Sequence, residues 1–274
     1  MLSDLLSRVR ETAPLIHNIT NYVTVNDCAN ILLAVGASPI MADEPEEAAD
    51  VAALCAGLVL NIGTLHRRTI PAMLTAGETV RAHGRPIVLD PVGAGASKLR
   101  TETAQMLIER LRPTVIRGNL SEIRALATGS FGSRGVDADP GDAPDADALQ
   151  RAVRMAEDFA RLTGAVVAVT GATDLVTDGK TTFRIRNGHP MMRAVTGAGC
   201  QLSALTGAFV AANPTEPLRA AAAAVCAMGL CGETAHARLT EADGNATYRN
   251  YIIDAVYRLT PEALERGARY EMQA

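Results

Sequence analysis

Short apolar runs that end in turn residues alternate with segments of helical periodicity along most of this 274-residue chain. That alternation is typical of parallel strands joined by crossover helices, and it predicts an α/β fold. Most of the runs are apolar without alternation, so we expect helices on both faces of the sheet. The predicted strands are residues 38–41, 57–61, 86–89, 114–117 and 165–170, followed by a hairpin of 174–177 and 182–185.

Helical periodicity marks the segments between these strands. The chain is also mostly helical in pattern from Thr196 onward, with breaks at Asn213-Pro214 and near Asp243-Gly244-Asn245. No linker segment divides the sequence into two apolar cores, so we expect residues 1–274 to form a single domain. The predicted helices between the strands are residues 48–56, 69–83, 103–110, 121–127 and 147–162.

The segment 130–147 interrupts this pattern. It is rich in Gly, Asp, Ala and Pro and holds almost no large apolar side chain, which predicts a loop. Its position after a candidate ligand-binding segment is compatible with an active-site lid, but long polar loops are more often plain insertions.

Charge and composition exclude several classes of function. The net charge is −4 and no basic cluster is present, so nucleic acid is not an expected partner. Charged residues interrupt the N-terminal segment, and the apolar stretch 220–232 is too short to span a bilayer, so we expect a cytoplasmic protein without a membrane partner and a buried helix at 220–232. Five cysteines without a Cys-x-x-Cys pair argue against disulfides and a zinc cluster.

Polar side chains at strand ends are the candidates for chemistry, because ligands bind beyond the carboxyl ends of strands in an open parallel sheet. A buried run delivers Asp90 into the Gly-rich turn 91–96. A carboxylate there can hold a hydrated Mg²⁺, and the glycines let the backbone approach a ligand closely. The same residues also fit an Asp-Pro turn that only ends a strand.

Two further strand ends carry polar residues. Asn119 and Glu122 have the spacing of a capping box, which needs no function. The capping box does not explain Arg117, a cation at a strand end where an anionic ligand would bind; a structural salt bridge is the alternative. Thr170, which ends the next run before Gly171, is barely informative by itself.

The segment Gly197-Ala198-Gly199-Cys200 opens a long apolar helix. The unpaired N–H groups and positive dipole end of a helix N-terminus form an anion site. We expect this field to lower the pKa of the Cys200 thiol, so that its thiolate can act as a base or nucleophile. A free Cys is more often a small buried packing residue, but the adjacent glycines favour a function for Cys200.

These strand ends together suit phosphoryl transfer, in which catalysis is mostly positioning and charge stabilisation. The chain has no Walker-type Gly-Lys-Thr and no protein-kinase motif set, so another phosphotransferase architecture is expected.

The order of the motifs resembles the ribokinase-like fold and, within it, the hydroxyethylthiazole kinase family. The shared motifs are DPVGAGAS at 90–97, RGNLSE at 117–122, VTG at 169–171 and TGAGC at 196–200. The segment HNITNYVTVNDCANILLAVGASPIMADEPEE at 17–47 and LNIGTL at 60–65 are similar to that family in particular. The resemblance covers the chain except 130–147, and it implies a three-layer α/β/α fold with a mostly parallel central sheet.

The resemblance implies that ATP phosphorylates the hydroxyl of 4-methyl-5-(2-hydroxyethyl)thiazole, for thiamine biosynthesis and salvage. It implies that Met41, Gly197 and Asn21 bind the thiazole and that Arg117 and Thr170 bind ATP. It also implies a homotrimer whose active sites are shared between subunits, with Met41 and Asn21 at the interface.

The resemblance also implies Mg²⁺ as cofactor, with Asp90, Glu122 and Asn119 organising the ion and its waters. Cys200 stands where most of the wider superfamily carries an Asp base. The unperturbed pKa of a Cys is near 8.5, so only a minor thiolate form is present at neutral pH and we expect activity to rise between about pH 6 and 8.

Three alternatives remain open at this point. The chain is compatible with another ribokinase-like kinase acting on a pyrimidine or pyridoxal alcohol, and with an ADP-dependent dehydratase that repairs hydrated nicotinamide cofactors; the N-terminal motif argues against both. A catalytically silent nucleotide-binding protein is the third, and the presence of Cys200, its glycines and Glu122 argues against it.

Overall fold

The computed structural model describes residues 1–129 and 146–274. The strands of one nine-stranded sheet are β1 (Leu15–Ile19), β2 (Ser38–Met41), β3 (Gly57–Asn61), β4 (Ile87–Asp90), β5 (Val115–Asn119), β6 (Val166–Thr170), β7 (Asp174–Thr177), β8 (Thr182–Ile185) and β9 (Tyr270–Gln273). Their order is β2-β1-β3-β4-β5-β6-β7-β8-β9. Strands β1 to β6 pair in parallel, and β7, β8 and β9 continue the sheet in antiparallel pairing.

Helices cover both faces of the sheet. Each strand sends alternate side chains to opposite faces: Leu58 and Leu60 of β3 pack in one apolar cluster, whereas Val59 packs in the other. The helices are α1 (Leu2–Thr12), α2 (Val25–Val35), α3 (Ala48–Leu54), α4 (Thr69–Ala82), α5 (Lys98–Leu111), α6 (Leu120–Thr128), α7 (Ala146–Thr163), α8 (Ala198–Ala212), α9 (Pro217–Ala237), α10 (Asn245–Arg258) and α11 (Pro261–Gly267).

The three-layer arrangement expected from the sequence is confirmed. Helices α3 to α7 supply one apolar cluster, and α1, α2 and α8 to α11 supply the other. The strands predicted at 38–41, 57–61, 174–177 and 182–185 have the observed bounds, and the other three differ by one or two residues at an end. The helix breaks predicted near 213 and 244 are also present.

The sequence pattern missed two strands. β1 contains His17 and Asn18, so it does not form an apolar run, yet both side chains are buried. His17 Nε2 hydrogen bonds to the carbonyl oxygen of Ala42 at 2.7 Å, and Asn18 Nδ2 donates to the carbonyl oxygen of Ile16 at 2.9 Å. β9 is an exposed edge strand, so burial imposed no apolar pattern on its residues.

Helix α9 is the one helix in the described part of the chain that is long and apolar enough to cross a membrane. Of its most apolar 18-residue window, 72% is buried inside the protein, which confirms the buried helix expected at 220–232. Most of the predicted loop at 130–147 lies outside the described residues. Its last two residues, Ala146 and Asp147, already belong to α7, so the loop prediction was wrong there.

Gly229 allows α9 to pack directly on the segment after β8. A Cβ at this position would lie 2.6 Å from the carbonyl carbon of Asn187 and 2.7 Å from its oxygen. We therefore expect Gly229→Ala to lower the free energy of unfolding by about 1–3 kcal/mol in urea titrations, because the backbone of Asn187 cannot move aside cheaply.

Gly244→Ser is the matched control for this substitution. Gly244 is the N-cap of α10; a Cβ added there would meet nothing within 4 Å, and its φ is an ordinary negative one. Serine is preferred at N-caps, so the stability of this variant should equal or exceed that of the wild type. A Gly229→Ala protein as stable as the wild type would contradict the packing of α9 described here.

Candidate active site

The N-terminus of α8 lies at the carboxyl edge of the sheet, as the sequence predicted. Gly197 is its N-cap with φ 84°, a left-handed conformation that favours glycine. Space requires glycine here too, since a Cβ would lie 2.3 Å from Cγ2 of Thr24. The expected anion site at Gly197, Ala198, Gly199 and Cys200 therefore has the backbone geometry of a helix start.

The Cys200 sulfur is buried and accepts two hydrogen bonds from amide side chains. Asn21 Nδ2 donates to Sγ at 3.1 Å and Asn61 Nδ2 at 3.3 Å. Thr24 Oγ1 donates to Asn21 Oδ1 at 3.0 Å, which orients the Asn21 amide so that its nitrogen faces the sulfur. Asn21, a predicted substrate residue, is thus brought next to the predicted base.

The expectation that the pKa of Cys200 is lowered was wrong. Burial raises the pKa of this thiol, and the nearby negative charge of Asp90 raises it further. The hydrogen bond from Asn21 and the positive charge of Arg117 act in the opposite direction but do not outweigh burial. The loss of hydration on burial therefore has a larger effect on the pKa of Cys200 than the contacts that favour its thiolate.

Asp90 is completely buried at the end of β4, and its two carboxylate oxygens differ sharply. Oδ2 accepts from Ser203 Oγ at 2.7 Å, from Asn61 Nδ2 at 2.8 Å and from Arg117 Nη1 at 3.5 Å. Oδ1 has no hydrogen-bond partner. Burial raises the pKa of Asp90, and the guanidinium of Arg117 opposes this shift. One oxygen therefore accepts from three donors, while the other is buried without a hydrogen-bond partner.

Arg117 joins Asp90 to the end of β6. Its Nη2 donates to Thr170 Oγ1 at 2.9 Å, and its buried Nε has no partner. The guanidinium lies under the start of α8, where a Cβ on Gly199 would be 2.7 Å from Nη1. The two predicted ATP residues, Arg117 and Thr170, are thus in contact, and a buried cation faces the helix N-terminus.

The capping box predicted from Asn119 and Glu122 is confirmed. Asn119 Oδ1 accepts from the Glu122 backbone N–H at 2.8 Å, and Glu122 Oε2 accepts from the Asn119 N–H at 2.8 Å. Glu122 Oε1 also accepts from the Gly93 N–H at 2.8 Å, which ties α6 to the Gly-rich turn after Asp90. Burial, and then the charge of Asp90, raise the pKa of Glu122 to about 7.

Met41 ends β2, the edge strand of the sheet. It is half-buried, packs against an apolar cluster and stands opposite Asn18 in the register of β1. Strands β1 and β3 separate it from β4, so within one chain Met41 is not brought to Asp90.

A cage of three or more His, Cys, Asp or Glu side chains suited to a metal ion is absent from residues 1–129 and 146–274. Magnesium needs no such cage, because it is usually bound through one or two carboxylates, waters and substrate phosphates. The unpartnered Oδ1 of Asp90 and the raised pKa of the neighbouring Glu122 carboxylate fit that mode of binding.

Asn61 and Ser203 belong to this site and were not predicted. Asn61 contacts both Cys200 and Asp90, and Ser203 contacts Asp90. Asn61 ends an apolar strand in the same way as Asp90, and the two residues are partners in the register of β3 and β4. That signal was present in the sequence. Ser203 lies three residues after Cys200, on the same face of a helix.

Comparison with known proteins identifies the family. A family model described as "Hydroxyethylthiazole kinase family" matches residues 6–262. The chain belongs to the hydroxyethylthiazole kinase family.

Hydroxyethylthiazole kinases from several organisms are similar over their full length. The protein of Clostridium acetobutylicum is 54% identical and that of Ruminiclostridium cellulolyticum 46% identical, with 99% and 98% of this chain and 99% and 96% of those proteins covered. The solved structure of hydroxyethylthiazole kinase from Pyrococcus horikoshii OT3 has a TM-score of 0.88 and 39% identity, covering 100% of this chain and 99% of that one.

A more distant likeness concerns the fold alone. The structure of pyridoxal kinase from Staphylococcus aureus in complex with AMP-PCP and pyridoxal has a TM-score of 0.63 at 16% identity, covering 95% of this chain and 98% of that one. The ribokinase-like architecture of this hydroxyethylthiazole kinase family member is thereby confirmed.

The raised pKa of Glu122 predicts a pH dependence of stability. The pKa of Glu122 is about 7 in the folded protein and ordinarily 4.5. Between these two pH values the folded state therefore binds more protons than the unfolded state, and the free energy of unfolding should fall as pH rises from 4.5 to about 7. The contribution of this carboxyl is roughly 3 kcal/mol over the interval. Glu122→Gln should remove that part of the slope in urea titrations from pH 4.5 to 7.5.

Glu102→Gln on the exposed face of α5 is the control, because it removes a carboxylate from the protein surface and not from the site. Asp174 keeps part of the slope in every variant, since burial raises its pKa to about 7 as well. Equal slopes for the wild type and Glu122→Gln would contradict a buried, protonatable Glu122.

Proposed function

We propose that this protein phosphorylates the hydroxyl group of 4-methyl-5-(2-hydroxyethyl)thiazole with ATP as the phosphoryl donor. Membership of the hydroxyethylthiazole kinase family over residues 6–262 carries this conclusion. The site supports it independently, because a thiol, a cation and two carboxylates lie near a helix N-terminus, an arrangement that suits phosphoryl transfer to an alcohol.

Cys200 is the proposed base. Its sulfur takes the proton of the substrate hydroxyl as that oxygen forms a bond to the γ-phosphorus, and the bond from this phosphorus to the bridging oxygen of ADP breaks. The thiolate form is required, because a thiol cannot accept the proton. The donors Asn21 and Asn61 hold the sulfur in place during this transfer.

The negative charge of the transferring group is stabilised by donors on this chain. We assign the backbone N–H groups of Gly197 to Cys200 to the phosphoryl oxygens, since they begin α8. Arg117 supplies a cation with a spare Nε–H donor, and Thr170, which Arg117 contacts, joins it in binding ATP.

Asp90, Glu122 and Asn119 are the proposed residues for a magnesium ion and its waters. Asp90 Oδ1 faces no other donor, and the two carboxylates lie close enough for the charge of one to raise the pKa of the other. When bound, the ion would neutralise charge on the ATP phosphates. Asn119 keeps its capping role and holds Glu122 in position.

Met41, Gly197 and Asn21 are the proposed thiazole-binding residues. Met41 lies on an edge strand away from Asp90, which suits a site completed by a neighbouring subunit. We accordingly propose a homotrimer with active sites shared between subunits. Measuring the molar mass in solution by light scattering tests the trimer. We also propose that the protein is cytoplasmic.

The proposed activity is tested by incubating the protein with Mg-ATP and hydroxyethylthiazole and detecting the phosphorylated product by mass spectrometry. Hydroxymethylpyrimidine and pyridoxal are run in parallel as competing alcohols. We expect product from the thiazole at a kcat/KM at least about tenfold higher than from the others, a difference of roughly 1.4 kcal/mol in transition-state binding. Product from another alcohol alone would refute the assignment.

The role of Cys200 predicts a pH profile. Because its pKa is raised, the thiolate fraction and therefore kcat should increase from about pH 6 to beyond pH 8. Cys200→Ser should reduce kcat by about 10²–10⁴-fold and alter the increase of kcat with pH. Cys55→Ser is the control, because Cys55 Sγ donates to the carbonyl oxygen of Val51, a hydrogen bond that serine retains. A flat wild-type profile in the chemical step would exclude the thiol as the titrating base.

A further inference from the structure

Asn61 makes four hydrogen bonds with its side-chain amide. Its Nδ2 donates to Asp90 Oδ2 at 2.8 Å and to Cys200 Sγ at 3.3 Å. Its Oδ1 accepts from Asn21 Nδ2 at 3.0 Å and from the backbone N–H of Gly63 at 2.9 Å. The residue is only 3% exposed, so water does not take over any of these four roles.

The orientation of this amide is fixed by the two donors to its oxygen. The N–H of Gly63 and the Nδ2 of Asn21 both require an acceptor, so Oδ1 must face them and the NH₂ group must face Cys200 and Asp90. The turn at Gly63 packs tightly on both amides: a Cβ there would lie 2.9 Å from Asn21 Nδ2 and 3.0 Å from Asn61 Oδ1.

We infer that Asn61 is a positioning residue that holds the Cys200 sulfur at a fixed place beside Asp90. The inference rests on the proposed role of Cys200 as the base. Asn61 is a side chain that hydrogen bonds to both the sulfur and the carboxylate, and β3 places it in register with Asp90. It acts through Cys200 and is not assigned a contact with the substrate.

Loss of Asn61 should affect the sulfur more than the carboxylate. Asp90 Oδ2 would keep its bonds from Ser203 and Arg117. Cys200 would keep its contacts with Asn21 and Thr24, but Asn21 would itself lose the acceptor at Asn61 Oδ1. The sulfur would then be free to move within its pocket, which lowers the fraction of molecules with a correctly placed base.

A double-mutant cycle separates this positioning role from a structural one. Asn61→Ala should lower kcat by on the order of 10²-fold, with KM values for thiazole and ATP changed less than about threefold. In a Cys200→Ser background the same substitution should lower kcat by less than about threefold, because residues that act as a unit are strongly non-additive. The rates are measured by product mass spectrometry at high enzyme concentration.

Asn213 provides the matched control. It is a buried asparagine outside the site, and its Nδ2 donates to the carbonyl oxygens of Leu5 and Phe209. Asn213→Ala should lower the thermal midpoint and leave kcat within about twofold of wild type, as expected for a side chain that contributes stability alone.

A near-isosteric variant keeps the test informative if Asn61→Ala does not fold. Asn61→Asp retains the acceptor for Gly63 and Asn21. Its carboxyl shares a proton with the adjacent Asp90, so it has no donor left for Cys200 and should show the same loss of kcat and the same dependence on Cys200. The inference is overturned if either variant keeps kcat within about twofold, or if it costs as much in the Cys200→Ser background as in the wild type. An inactive wild-type protein would instead refute the proposed function.

Discussion

The buried carboxylate of Asp90 is the constraint on which this site depends. Removing an ion from water costs several kcal/mol, and removing it without partners is not tolerated. Three donors meet at its Oδ2, and they come from three elements: Asn61 at the end of β3, Arg117 in β5 and Ser203 in α8. Hydrogen bonds to charged groups contribute about 1.5–3 kcal/mol each, so these contacts offset much of the burial. They also leave Oδ1 without a hydrogen-bond partner.

Such convergence requires α8 to approach the sheet closely. Glycines make this possible, because side chains at these positions would collide with the neighbouring strands and loops. A Cβ at Gly207 would lie 2.5 Å from Val59, one at Gly199 would lie 2.7 Å from Arg117, and one at Gly197 would lie 2.3 Å from Thr24. The same close packing that satisfies Asp90 therefore brings the N–H groups at the start of α8, and the thiol of Cys200, to the sheet edge.

The sequence was informative where one physical requirement dominated each segment. Strands buried on both faces must be apolar, so their runs predicted β3, β4, β5 and β6 to within two residues at each end. β1 was not predicted as a strand, because His17 and Asn18 are polar. Both are buried with hydrogen bonds to carbonyl oxygens, which no local sequence pattern reveals.

The candidate site was also predicted in part, where the position of a residue at a strand end was enough to identify it. Asp90 and Thr170 were selected because strand ends in a parallel sheet meet at one edge, and Arg117, which lies two residues before the end of β5, contacts both. The contacts of Ser203 depend on how α8 packs on β4, so they were not deducible from a single segment. The predicted direction of the Cys200 pKa failed because the sequence showed a helix N-terminus but not the depth at which the thiol is buried.

A raised pKa is compatible with a thiol base in this reaction. Each unit by which the pKa exceeds the pH reduces the thiolate fraction tenfold, which costs about 1.4 kcal/mol. The thiolate that does form is correspondingly a stronger proton acceptor, and this recovers part of that cost. In a loose phosphoryl-transfer transition state the attacking oxygen has formed little bond to phosphorus, so its proton is still held firmly when the transfer begins. The position of the sulfur then matters along with its charge. The two buried amides that donate to it affect both, because they restrain its position and favour the ionised form.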